Sequence, residues 1–62
     1  SEVDRLIAIA PGKVHDQLIR DFESLLIRRA LAATAGRRID AANVLGIGRN
    51  TITRKIQELG LE

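Results

Sequence analysis

Six polar residues in seven positions, Arg49, Asn50, Thr51, Thr53, Arg54 and Lys55, form the densest patch of donors, acceptors and cations in this chain. At about 100° per residue of helix, Asn50, Thr53, Arg54 and Gln57 fall opposite an apolar stripe of Ile52, Ile56 and Leu59. The residue types on that polar face suit base edges: Arg bidentate to guanine, Asn or Gln to adenine, a Thr methyl against the thymine methyl. Arg49, Thr51 and Lys55 stand on the flanks, where phosphate oxygens would lie. Arg37 and Arg38 open the preceding helical pattern, and a helix start can itself face a phosphate. The plainer alternative is a solvated polar face, which most amphipathic helices have.

Other chemistries find little support. GIGRNT, residues 46–51, has the glycines of a phosphate loop, but no strand precedes it and no Lys-Ser/Thr follows. His15 beside Asp16 is the one acid–imidazole pair, with no second histidine or cysteine to share a metal and no nucleophile in view. Ser24 and Thr34 read as surface residues of a helix, and Phe22 as core rather than a stacking platform. No enzyme, cofactor or metal site is expected.

Three helical patterns must position the polar face. The last runs from about Arg49 to Leu59 and is stopped by Gly60, with Leu61 placed to touch Ile56. The one before it runs from Arg38 to Leu45, with Asp40 in its first turn and Gly46 as its cap. A helix-turn-helix needs a small residue where its helices cross, a glycine in the turn and apolar plugs around them. Ala42, Gly46, Ile47, Ile52 and Ile56 meet those needs. Upstream, Val14 to Ala35 is helical in pattern for 22 residues, or about 33 Å, and Gly36 ends it. Its apolar arc is wide: Val14, Leu18, Phe22, Leu25, Leu26 and Ala30 form one stripe, and Ile19, Ile27 and Leu31 broaden it. Val3, Leu6, Ile7 and Ala10 suggest a further short helix, broken by Pro11-Gly12.

The whole chain has 62 residues, no cysteine and one aromatic residue, so it makes one small, Ala/Leu/Ile-rich helical domain. A domain this size is marginal alone, and with no disulfide or zinc site the remaining support is a partner subunit. Within the one domain, residues 1–13 read as an N-terminal dimerisation or linker segment, 14–36 as a long dimerisation helix and 37–62 as the helix-turn-helix. Starting at Ser1 rather than methionine, the chain reads as a piece of something longer. Nothing in it approaches a membrane span or a signal peptide, so a soluble, cytoplasmic protein is expected. Its formal charge is +2, unevenly spread: residues 1–35 balance five cations with five acids, whereas 36–62 hold five against three. A local basic surface favours a polyanion such as nucleic acid.

The run GRRIDAANVLGIGRNTITRKIQELGLE resembles the C-terminal Fis-type helix-turn-helix of NtrC-type (nitrogen regulatory protein C) bacterial enhancer-binding activators. LGIGRNTITRKIQELG carries the strongest match, above all Arg49-Asn50-Thr51 followed by Arg54-Lys55, and HDQLIRDFESLLIRRALAATAG fits upstream. The resemblance covers about residues 14–62. It implies an all-α, intertwined homodimer built on the long helix, each subunit placing its last helix in a major groove of double-stranded DNA at an enhancer site. The position matching Arg49 is a base reader in that family, and those matching Thr51, Arg54 and Lys55 lie at the DNA. The position matching Gly48 is often asparagine there, so a helix-capping side chain is missing here. The resemblance further implies a parent protein with a phosphorylated receiver domain and an ATPase domain that engages RNA polymerase carrying sigma-54, the nitrogen-type sigma factor. Neither is present in this chain. Two rival readings remain: a Fis-like architectural protein that bends DNA with loose specificity, and a helical dimerisation or adaptor module that binds no DNA.

Overall fold

The computed structural model describes residues 1–61 and is all-α: α1 (Glu2–Ile9), α2 (Val14–Ala33), α3 (Arg38–Leu45) and α4 (Arg49–Leu59), with no strand among the described residues. α1 begins at Ser1, whose hydroxyl accepts the Asp4 N–H at 3.3 Å, satisfying one of the orphan donors of a helix start. One turn along, Arg5 donates to the Glu2 carboxylate; that hydrogen bond holds the Glu2 carboxyl below its ordinary range and the Arg5 guanidinium above its own. Leu6 is the one buried residue of α1, and Val3, Ile7 and Ile9 are exposed.

α2 ends two residues before the pattern predicts. The left-handed residue that closes it is Ala35, with φ 56°, and Gly36 follows at φ 81°. The Gly36 N–H reaches back to the Leu31 carbonyl at 2.8 Å, so the cap is a Schellman-type closure with alanine where glycine usually stands. Thr34, expected on the open surface, is half-buried and occupies the joint. Its N–H turns to Leu31 at 3.2 Å, and its hydroxyl donates to the Ala30 carbonyl at 2.9 Å. α3 and α4 span the predicted ranges.

One core gathers the second half of the chain. Ile27 and Ala30 of α2 meet Ala41 and Ala42 of α3 and Ile52 and Ile56 of α4. Leu31, Leu45, Ile47, Leu59 and Leu61 pack around them half-buried. Ile27, Ile52 and Ile56 are almost fully enclosed, each contributing about 1.5–3 kcal/mol of transfer free energy. Ala41 and Ala42, at 0% and 1% exposure, let α3 lie close against its neighbours.

One apolar face of α2, from Ile19 to Leu26, has no such cover. Phe22 is 57% exposed rather than core, and Ile19, Leu25 and Leu26 are exposed beside it. α1 is too short to span that arc, and α3 and α4 reach only its Leu25–Leu26 end, where Val44, Leu45 and Ile47 line open clefts with it. The molecule is accordingly elongated, 39 × 19 × 19 Å.

Candidate nucleic-acid interface

Backbone geometry seats α4 on α3. Gly46 adopts φ 77°, which lets the Ile47 N–H bond the Ala42 carbonyl at 3.0 Å and the Gly46 N–H bond that of Asn43 at 3.2 Å. Ile47 then packs against the core, plugging the corner as its position in the turn predicts. Gly48 is the N-cap of α4 and, having no side chain, gives no side-chain acceptor to the first turn. The far end closes as the near one does: the Leu61 N–H bonds the Ile56 carbonyl at 3.0 Å, with Gly60 at φ 67°. Ile52 and Ile56 anchor the inner face between these two caps.

What faces outward is the polar set. Arg49 and Asn50 are exposed at the N-terminal end of α4, and their side chains have no ion-pair or hydrogen-bond partner among the described residues. Gln57 is exposed as well. Thr53 is half-buried, and its hydroxyl donates to the Arg49 carbonyl at 2.9 Å, so its one donor is used within the helix. The methyl and the oxygen lone pairs are what it can offer a base. Arg54 lies 3.6 Å from Glu58, an exposed pair one turn apart. Such pairs are worth about 0–1 kcal/mol and yield readily to a stronger anion.

The flanks are less open. Thr51 is half-buried, and the Lys55 ammonium pairs with the Glu23 carboxylate of α2. Arg37 and Arg38 are exposed at the start of α3, the former 4.0 Å from Asp40. They sit at the other end of that eight-residue helix from the turn, about 12 Å along its axis. The structure therefore puts six candidate residues on one short helix and the other two at a separate helix start. His15 is highly exposed, with Nδ1 3.6 Å from Asp16. Two residues of consequence, Glu23 and Thr34, carried no local signal; both act through contacts with other elements.

The family described as bacterial regulatory protein, Fis family, matches residues 18–59. Among curated proteins, the chain is similar to a DNA-binding transcriptional regulator NtrC of Rhizobium meliloti (strain 1021), 44% identical over 54 residues, covering 87% of this chain and 11% of the relative. The regulator of the same name from Proteus hauseri is 47% identical over 57 residues, covering 89% of this chain and 12% of its own length. That of Escherichia coli (strain K12) is 50% identical over 42 residues, covering 68% and 9%. The chain spans about a tenth of the length of these relatives. No solved structure matches it. Helix ends at Gly46 and Gly60, an apolar seam through Ala42, Ile52 and Ile56, and a family match across 18–59 agree on one conclusion: the chain belongs to the Fis family of bacterial regulatory proteins, with α3 and α4 as its helix-turn-helix.

Proposed function

We infer that this chain binds duplex DNA sequence-specifically, as the DNA-binding domain of an NtrC-type transcriptional activator. The observation that carries this is α4 itself, a helix locked at both ends and along its inner face, with Arg49 and Asn50 open at the end that docks first. Arg49, Asn50, Thr53 and Arg54 read base edges. Thr51, Arg37 and Arg38 hold phosphates, and Lys55 lies on the same flank with its ammonium paired to Glu23. The domain is a binding module and not an enzyme. Its parent protein acts at enhancer sites, with sigma-54 RNA polymerase engaged by a domain outside this chain.

Two subunits form the binding unit. A compact chain of 62 residues has a radius of gyration of about 10.6 Å, against 13.5 Å here. A folded monomer of 6.8 kDa exposes about 3,950 Å², against 4553 Å² here. The excess surface and the open Ile19, Phe22, Leu25 and Leu26 arc support a second copy against α2.

The test is duplex binding against salt. Four to six neutralised phosphates per dimer, from Arg37 and Arg38 with or without Arg54, give a slope of log K on log salt of about −4 to −5. A slope near zero, or no binding, returns the domain to an adaptor role. Equal affinity for selected and random duplexes makes it an architectural binder.

A further inference from the structure

Among the candidate DNA-contacting cations, Lys55 is paired across helices. Arg54 and Arg37 pair with acids on their own helices, Glu58 and Asp40, and are 64% and 74% exposed. The Lys55 ammonium instead meets Glu23 of α2, and both side chains are only 28% exposed. The two lie over a small apolar cleft lined by Leu26, Ile27, Leu45 and Ile47. Ions partly shielded from water in this way attract more strongly and are screened less by salt than surface pairs. Because α2 is fixed to α4 through Ile27, Ile52 and Ile56, the carboxylate stays in place when α4 docks.

The geometry points to Glu23 as a positioning residue for DNA binding: it holds the Lys55 ammonium against α2 and withholds one positive charge per subunit from the DNA backbone. This rests on the DNA-binding reading above. Lys55 stands one helical turn beyond Thr51 on the same flank of α4, the flank that meets the groove wall. An ammonium freed there adds a phosphate contact, which strengthens binding to any sequence. Glu23 thereby weakens the sequence-independent grip and sets the salt range over which the domain binds.

The experiment is the salt dependence of binding to a random-sequence duplex for the native chain, Glu23→Gln, Lys55→Gln and the double variant. All are measured well below their melting midpoints, with helix content recorded alongside. Glu23→Gln is expected to tighten random-duplex binding several-fold and to steepen the slope by about one unit per docked subunit. Lys55→Gln alone should leave the slope nearly unchanged, and the double variant should return to the native slope. Glu23→Asp keeps the carboxylate and should stay near native. Glu23→Ala repeats the loss of charge in a side chain that cannot hydrogen-bond Lys55. A native chain that binds no duplex defeats the DNA-binding reading itself. A native chain that binds, with folded Glu23→Gln and Glu23→Ala at the native slope, overturns the role of Glu23 alone. A Lys55→Gln slope flatter by about one unit per subunit overturns it too, because Lys55 then already faces phosphate.

Discussion

The Thr34 hydroxyl donates to the Ala30 carbonyl at 2.9 Å and lies 3.1 Å from the carbonyl of Arg37, so one side chain closes α2 and braces the residue that caps α3. Ala30 is buried, and the Thr34 N–H has turned away from its carbonyl to that of Leu31. Thr34→Val keeps the shape and removes the donor, stranding that oxygen. The expected loss is about 1–2 kcal/mol in a urea melt, with Thr34→Ser close to native.

Two left-handed residues should respond with opposite signs. Ala35 holds φ 56°, a conformation that costs an L-residue about 1–2 kcal/mol. Ala35→Gly removes that strain but frees the unfolded chain, for a net gain of about 0.5–1 kcal/mol. Gly46 holds φ 77° with no atom within 4 Å of the site a Cβ would take. Gly46→Ala therefore meets no clash and loses about 1 kcal/mol, the left-handed strain partly offset by a stiffer unfolded chain. Denaturant midpoints at one temperature check both.

The same pair shows what local sequence can reveal. Gly46 and Gly60 mark the ends of α3 and α4 because glycine enters the left-handed region without a Cβ clash, and both ends fall where glycine signals them. Ala35 gives no such signal, so the end of α2 is misread by two residues. Ile52 and Ile56 were legible as core from their spacing, whereas Phe22, on an equally regular stripe, is exposed. Periodicity identifies an apolar face but not what covers it. The Lys55–Glu23 pair joins residues far apart in the chain and is set by how α2 crosses α4, which no local pattern encodes.

Dimerisation is tested at Phe22. The ring contributes nothing to the buried cluster of its own subunit, so Phe22→Asp should leave the helices intact while abolishing the contact between copies. Sedimentation equilibrium at low micromolar concentration should give a dimer for the native chain and a folded monomer for the variant. A native monomer in that range contradicts the dimer.

Arg49 separates reading from holding. Arg49→Lys retains the charge but loses the planar fork that gives guanine two parallel hydrogen bonds. Binding to the preferred site should weaken by about 1–3 kcal/mol, with little change on random duplex at the same salt. Equal losses on both would assign Arg49 to the backbone and pass base reading to Asn50, Thr53 or Arg54.

Among the described residues, the seven buried side chains are all alanine, isoleucine or leucine, and none belongs to the outward face of α4. If α4 is the reading helix, folding and recognition depend on different atoms. On the DNA-binding reading proposed above, substitutions at Arg49, Asn50, Arg54 or Gln57 are expected to change what is read while the seam beneath stays intact, each within about 0.5 kcal/mol in stability. Such a scaffold would let the outward face change its target one surface residue at a time at little cost in stability.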